Sequence, residues 1–340
     1  MVLVALGTRP EVVKLYPVIN ELKKEKIPFK ILFTGQHQSL FLDVCNLIPN
    51  PDYHLQLMKK NTGLNSLVSA IIRETDPILE KLRPQLVIVQ GDTSTVLGVG
   101  LAAFYKQIPV GHVEAGLRTF DRTKPFPEET NRCLVSQIST LNWAPTQQAK
   151  ENLENEGAEN IYLTGNTIVD ATLGFNFKIK NKNKVLITLH RRENFGERLK
   201  SLFTQLEELA REQPQLEFIF PMHPNPSVMM HRSILKKVKV IAPLPYAEML
   251  QLLSEVRVVI SDSGGIQEEC ATYRKPILVC RDSTERPEGV EAGFARLVGT
   301  DIRSNFDWAM NYSLPNLINP YGDGKASIRI VHSIKTYLNV

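Results

Sequence analysis

The residues able to do chemistry in this 340-residue chain sit in short clusters, each directly after an apolar run. One cluster is Ser261-Asp262-Ser263-Gly264-Gly265, between Val258-Val259-Ile260 and Ile266-Gln267-Glu268-Glu269. An apolar run, an abrupt turn and then helix formers predict a parallel strand feeding a helix. Two adjacent glycines let the backbone approach a ligand closely, and the free N–H groups at a helix start favour an anion such as a diphosphate. Carboxylates just inside that helix, Glu268 and Glu269, can accept hydrogen bonds from sugar hydroxyls. A ligand-free turn capped by Ser or Asp fits the same residues.

A second cluster, Gly7-Thr8-Arg9-Pro10-Glu11, follows Val2–Leu6. It has neither the G-x-G-x-x-G spacing of a dinucleotide site nor the G-K-[ST] ending of a P-loop, which removes most support for nicotinamide or ATP chemistry. Arg9 and Lys14 at the start of a helix suit phosphate oxygens, and surface charge is the plainer alternative. Acids and imidazoles recur at or just after strand ends: Asp92, His112, Glu114, Glu128, Glu129, His190, Glu193 and His223. Gathered together, such groups can act as general acids and bases. A single strand-end His is more often structural, but Arg191, Arg192 and Glu193 crowd His190 within one turn. No His, Cys or Asp spacing matches a zinc site, so neither metal nor other cofactor is expected.

These clusters require a scaffold that brings strand ends together. Strands are predicted at Val2–Leu6, Phe29–Phe33, Leu86–Val89, Val110–Val113, 142–144 and 161–163, with helices near 12–26, 64–83 (broken at Pro77), 96–106 and 147–156. The second half repeats the logic with strands at 185–189, 216–220, 238–241, 258–260, 276–280 and 296–299, and an apolar helix over 327–338. Strands alternating with helices predict an α/β fold of two Rossmann-like domains. The polar, lysine-rich 176–184 segment is the best linker. The expected division is 1–170, 171–325 and a closing helix, 326–340. In doubly wound sheets ligands bind at the carboxyl edge of the strands.

Composition narrows the class. A content of 43% hydrophobic and 22% charged residues is ordinary for a globular protein, and a net charge of +4 suits a small anion. Nucleic-acid binding is not expected, because the lysine clusters lack aromatic interleaving. No apolar run reaches the roughly 18 residues of a membrane helix, and Met1 leads straight into a strand, so neither membrane segment nor signal peptide is expected. Cys45, Cys133, Cys270 and Cys280 contain no C-x-x-C pair, which suits free thiols in a reducing, cytoplasmic setting.

Taken together, Gly7–Glu11, Gln90-Gly91-Asp92-Thr93, Gly111–Arg118, Pro127–Arg132, His190–Glu193, Ser261–Glu269 and Arg281–Gly293 resemble the non-hydrolysing UDP-N-acetylglucosamine 2-epimerases, in family order and over nearly the whole chain. The resemblance implies a GT-B-like fold with the nucleotide sugar in a central cleft between the two domains, and a homodimer. It implies that the C2 proton leaves as UDP departs C1, giving 2-acetamidoglucal, and that UDP re-adds with protonation from the other face. Asp92, Glu114, Glu128 and His190 match catalytic positions. Arg9 and Lys14 match phosphate contacts; Ser263, Gly264 and Gly265 match the diphosphate turn; Glu269 matches a ribose-binding carboxylate. Arg118, Arg132, Asn166 and His223 are further sugar or cleft candidates. Many bacterial members look to use a second UDP-N-acetylglucosamine as activator. Here Gly35-Gln36-His37-Gln38-Ser39 carries a short Ser39, and 58–62 lacks the usual arginine, which implies weak or absent activation. A GT-B glycosyltransferase, a hydrolysing epimerase and a non-catalytic nucleotide-sugar sensor are the rival readings.

Overall fold

The computed structural model of the chain describes residues 1–35, 44–57, 63–313 and 318–340. Among them the chain divides into two units, Met1–Ala171 with Gly322–Val340, and Thr172–Tyr321. The first is built on a parallel sheet of β1 (Val2–Leu6), β2 (Phe29–Phe33), β3 (Tyr53–His54), β4 (Leu86–Gln90), β5 (Val110–Val113), β6 (Leu141–Ala144) and β7 (Ile161–Leu163). Its spatial order is β3-β2-β1-β4-β5-β6-β7. The second unit carries β8 (Lys184–Thr188), β9 (Glu217–Pro221), β10 (Lys239–Ile241), β11 (Val258–Ser261), β12 (Ile277–Val279) and β13 (Ala295–Leu297), ordered β10-β9-β8-β11-β12-β13.

The strand sequences explain this. β1 and β4 are buried along their whole length, as strands covered by helices on both faces must be. Both sheets reverse direction once. In the first, β1 lies between β2 and β4, paired through Val4 with Ile31 and Ile88; in the second, β8 lies between β9 and β11, with Thr188 opposite Ser261. Such a switch point opens a crevice at the carboxyl edge. The Gly7 and Asp92 turns flank the first switch point, and the His190 and Ser263 turns flank the second.

Two local results differ from the sequence expectation. The Leu64–Leu82 helix runs unbroken through Pro77, because that proline is on the exposed face, where the carbonyl left without its N–H partner can meet water. The helix predicted from Val12 begins at Arg9, where Glu11 in the first turn reaches back to accept the Thr8 backbone N–H at 2.9 Å.

The C-terminal helix, Ala326–Leu338, belongs to the first unit. Asp170 supplies its missing cap, accepting hydrogen bonds from Ala326 N (3.1 Å) and Ser327 N (2.8 Å). Trp143 fixes it from the sheet, donating from Nε1 to Ser333 Oγ at 2.7 Å. That indole lies so close over β5 that a Cβ on Gly111 would stand 2.5 Å from its Cη2. The ring is fully buried and has nowhere to move. We predict that Gly111→Ala costs about 1–3 kcal/mol by overpacking, read as a lower urea midpoint with unchanged slope; an unshifted midpoint would mean that the indole can relocate.

Candidate functional site

The first unit gathers its chemistry at three strand-end turns and one helix start. Helix Arg9–Lys24 begins directly after the β1 turn, so its first turns face the ends of β4 and β5. Glu11 is buried and accepts hydrogen bonds from the backbone N–H groups of Gly7 and Thr8 and from the Thr93 hydroxyl. One carboxylate thereby fastens the β1 turn to the Asp92-Thr93 turn. Burial pushes its pKa up to about 7 against the lowering effect of those bonds.

Asp92 accepts a hydrogen bond from Arg132, whose other terminal nitrogen reaches Glu129 at 3.1 Å. Asn131 donates to the Asp92 carbonyl at 2.8 Å. Arg132 and Asn131 both lie on helix Glu128–Ile138, so that helix holds the Asp92 turn from the side. Glu129 in turn accepts the N–H groups of Thr119 (2.9 Å) and Phe120 (3.0 Å), fixing the loop that leads into the helix. Its neighbour Glu128 has a buried Oε2 with no hydrogen-bond partner among the described residues.

Glu114 follows β5 in a left-handed backbone conformation, φ +66°. Its carboxylate receives Lys14 Nζ at 2.5 Å and the Gln90 amide. Lys14, a phosphate-contact candidate by sequence, is nearly fully buried and is a counter-ion of Glu114. The Arg118 guanidinium is bonded to Glu156 (2.7 and 2.5 Å), Ser136 (2.9 Å) and the Leu117 carbonyl (2.7 Å), so it braces the loop against helix Gln147–Asn155. Asn166 accepts Ile168 N at 3.1 Å and opens the Thr167–Gly174 helix. Arg9 stands at the start of its helix, partly exposed.

In the second unit the β11 turn meets the β8 turn through Asp262. This carboxylate is fully buried and receives His190 N (3.0 Å), Arg191 N (2.9 Å) and Asn194 Nδ2 (3.0 Å). Asp262 is thus a clamp between turns and not a helix cap. Ser263 occupies the N-cap position of helix Gly264–Thr272 without a side-chain cap bond. A Cβ on Gly265 would meet nothing within 4 Å, whereas one on Gly264 would strike the Arg286 guanidinium at 2.5 Å and Glu285 at 2.9 Å. The first glycine therefore admits the chain's own side chains, and the second leaves the helix start open. Glu268 pairs with Arg286 (2.7 Å) and Glu269 accepts the Tyr246 hydroxyl (3.0 Å). Burial alone would push Glu285 up, but Arg286 and Arg281 outweigh it and hold this carboxylate well below its usual range.

His190 Nδ1 lies 3.5 Å from Asp262, and its ring stacks on exposed His223 with centroids 5.9 Å apart. Burial lowers its pKa despite Asp262, which favours a neutral imidazole. Sequence reasoning gave no role to Glu11, Gln90 or Glu285, and offered Asp262 only as a helix cap. Asp262 alone carried a visible signal, its place between a strand and the diglycine. The activator expectation rests on Gln36–Ser39 and 58–62, which lie outside the described residues. Among the described residues no group of three or more His, Cys, Asp or Glu could hold a metal ion, and no helix is long and apolar enough to cross a membrane.

Two parallel α/β units, one with carboxylates and the other with an open diglycine helix start at its switch point, define a protein of the class that handles nucleotide sugars. The family model described as UDP-N-acetylglucosamine 2-epimerase matches residues 20–335. The UDP-N-acetylglucosamine 2-epimerase of Neisseria meningitidis serogroup A is 40% identical over 98% of both chains. The crystal structure of the Neisseria meningitidis enzyme bound to UDP-GlcNAc superposes with a TM-score of 0.92 at 39% identity, covering 98% of this chain and 99% of that one. A spinosyn rhamnosyltransferase, 14% identical with a TM-score of 0.55 over 99% and 96% of the two chains, shares the GT-B-like fold alone. The chain belongs to the UDP-N-acetylglucosamine 2-epimerase family.

His112, at the end of β5, is fully buried and bonds through Nε2 to the Gly91 carbonyl at 2.7 Å. Burial first, then Arg118 and Arg132, lower its pKa to about 4, against Gly91 and Asp92. The folded chain keeps this imidazole neutral while the unfolded chain protonates it near its ordinary pKa of about 6.5. Its contribution to stability is complete above about pH 6.5 and is lost as pH falls through about 4. We predict that the unfolding free energy of the native chain minus that of His112→Gln rises across this interval and is level above it, measured by urea titration at each pH. A difference independent of pH would rule out a neutral buried imidazole.

Proposed function

We propose that this chain interconverts UDP-N-acetylglucosamine and UDP-N-acetylmannosamine without net hydrolysis. A carboxylate takes the C2 proton; the C2–H electron pair becomes the C1–C2 double bond of 2-acetamidoglucal, and the C1–O bond breaks with its electrons passing to UDP. Return of UDP to C1 and of a proton to the opposite face of C2 completes the epimerisation. The single observation that carries this reading is the arrangement of Asp92, Glu114 and Glu128 at neighbouring turns of one sheet edge. Asp92 and Glu114 are held by Arg132 and by Lys14 with Gln90, while Glu128 keeps a buried oxygen that no described residue engages and that can receive a proton. Proton transfer on two faces of one carbon needs more than one such group.

The second unit supplies the anchor in this scheme. The open Gly265 backbone and the start of helix Gly264–Thr272 suit a diphosphate, and Glu269 suits ribose hydroxyls. His190, neutral and oriented by Asp262, serves the leaving diphosphate as a hydrogen-bonding group. No cofactor enters the scheme. The lack of a C-x-x-C pair among the cysteines supports a cytoplasmic enzyme, and the family resemblance supports a homodimer.

Incubation with UDP-N-acetylglucosamine in deuterated water should place deuterium at C2 of both epimers, seen by proton NMR, while phosphorus NMR shows no stoichiometric build-up of free UDP. Substrate with its C2 proton intact would refute the proposal, and accumulating UDP would point to hydrolysis. Asp92→Asn and Glu128→Gln should each reduce exchange at least 100-fold, the scale of a lost general acid or base, with UDP affinity nearly unchanged. Parallel loss of UDP binding would refute the catalytic assignment.

A further inference from the structure

We propose that Arg191 is a fixed cation for the diphosphate of the nucleotide sugar, an inference that rests on the diphosphate reading of the Ser263–Gly265 turn and names the side chain that neutralises the leaving group. The backbone places it there. Arg191 N is bonded at 2.9 Å to Asp262, the residue before Ser263, so the arginine springs from a point clamped to the diglycine turn. The residue is half-buried, and its buried Nε has no hydrogen-bond partner among the described residues.

The carboxylates around Arg191 are engaged elsewhere. Asp262 receives backbone N–H groups and Asn194; Glu193 is bonded to Arg281 at 2.7 Å; Glu285 spends one oxygen on Arg281 and the other on Arg286. Yet the Arg191 charge is near enough to bear on both the His190 ring and the Glu285 carboxylate. Glu285 Oε1 is 2.9 Å from where a Cβ of Gly264 would stand, which locates this charge beside the turn. A buried arginine donor left unpaired is costly, and a diphosphate oxygen would satisfy it with a charge-assisted bond. As the C1–O bond breaks, the diphosphate gains a further negative charge, so a cation already in place stabilises the departing group more than the bound sugar nucleotide.

The test titrates Arg191→Gln, Arg191→Lys and Gly265→Val with UDP by calorimetry and with uridine by ligand-observed NMR. Arg191→Gln should weaken UDP by about 10-fold or more, the scale of one charge-assisted bond, leave uridine within about twofold, and lower the rate of C2 exchange; Arg191→Lys should recover part of the UDP affinity. Equal losses for UDP and uridine, or none for UDP, would overturn the assignment of Arg191. Gly265→Val separates this from the underlying reading: its side chain enters open space and should not disturb the fold, but it should block UDP. If Gly265→Val leaves UDP affinity intact, the diphosphate turn itself is misassigned; if it blocks UDP while Arg191→Gln does nothing, only the arginine is. Matching melting temperatures for Arg191→Lys and the native chain keep a folding defect from imitating the result.

Discussion

A buried carboxylate is tolerated only where cations or N–H groups meet it, and this requirement shapes both strand-end edges of the chain. Glu11 draws the β1 turn onto the Asp92-Thr93 turn, and Asp262 draws the His190 turn onto the β11 turn. Each carboxylate ties its own turn to a neighbouring one, Glu11 through the Thr93 hydroxyl and Asp262 through the backbone N–H groups of His190 and Arg191, so two loops that the sheet merely places side by side become one rigid edge. The sheets supply the opportunity, since parallel strands deliver all their carboxyl ends to one side. The buried acids supply the fixation.

Partnership divides these acids by task. Glu129 and Glu285 have both oxygens engaged by protein donors and work as scaffold. Glu114 is held by Lys14 and Gln90, and Asp92 by Arg132, which keeps them oriented. Glu128 has an oxygen that no described residue engages. A base must have a lone pair to offer and an acid must have somewhere to deliver its proton, so the uncommitted oxygen is the chemically informative one.

The strand-to-turn pattern was legible in the sequence because parallel strands buried on both faces leave continuous apolar runs, as in Val258-Val259-Ile260 and Leu86-Val87-Ile88-Val89. The turn residues were legible for the same reason: Ser263, Gly265, Asp92 and His190 interrupt such runs. Partner choice was not legible. Lys14 and Arg9 both read as cations at a helix start, and only the fold shows that Lys14 points at Glu114, 100 residues away. Arg118 likewise gives no sign in the sequence of its partner Glu156, 38 residues away. Two-residue β3 was missed because Tyr53-His54 is too short to leave a periodic signature, and it pairs only as an edge strand on β2. Local sequence specifies where a side chain leaves the sheet, while tertiary packing specifies what it finds there.

The same logic bears on how the first unit responds to pH. His112 and Glu11 are both displaced from their ordinary ranges by burial, but in opposite senses. Folded His112 resists protonation, so below about pH 6.5 the unfolded chain binds the extra proton and stability falls with acid. Folded Glu11, with its pKa raised to about 7, holds a proton that the unfolded carboxyl releases above about 4.5, so its contribution is greatest in acid and is lost as pH rises toward 7. Over most of the interval between these limits the two slopes have opposite sign and offset one another. A strand-end cluster can therefore contain two strongly perturbed groups without making the fold itself strongly dependent on pH.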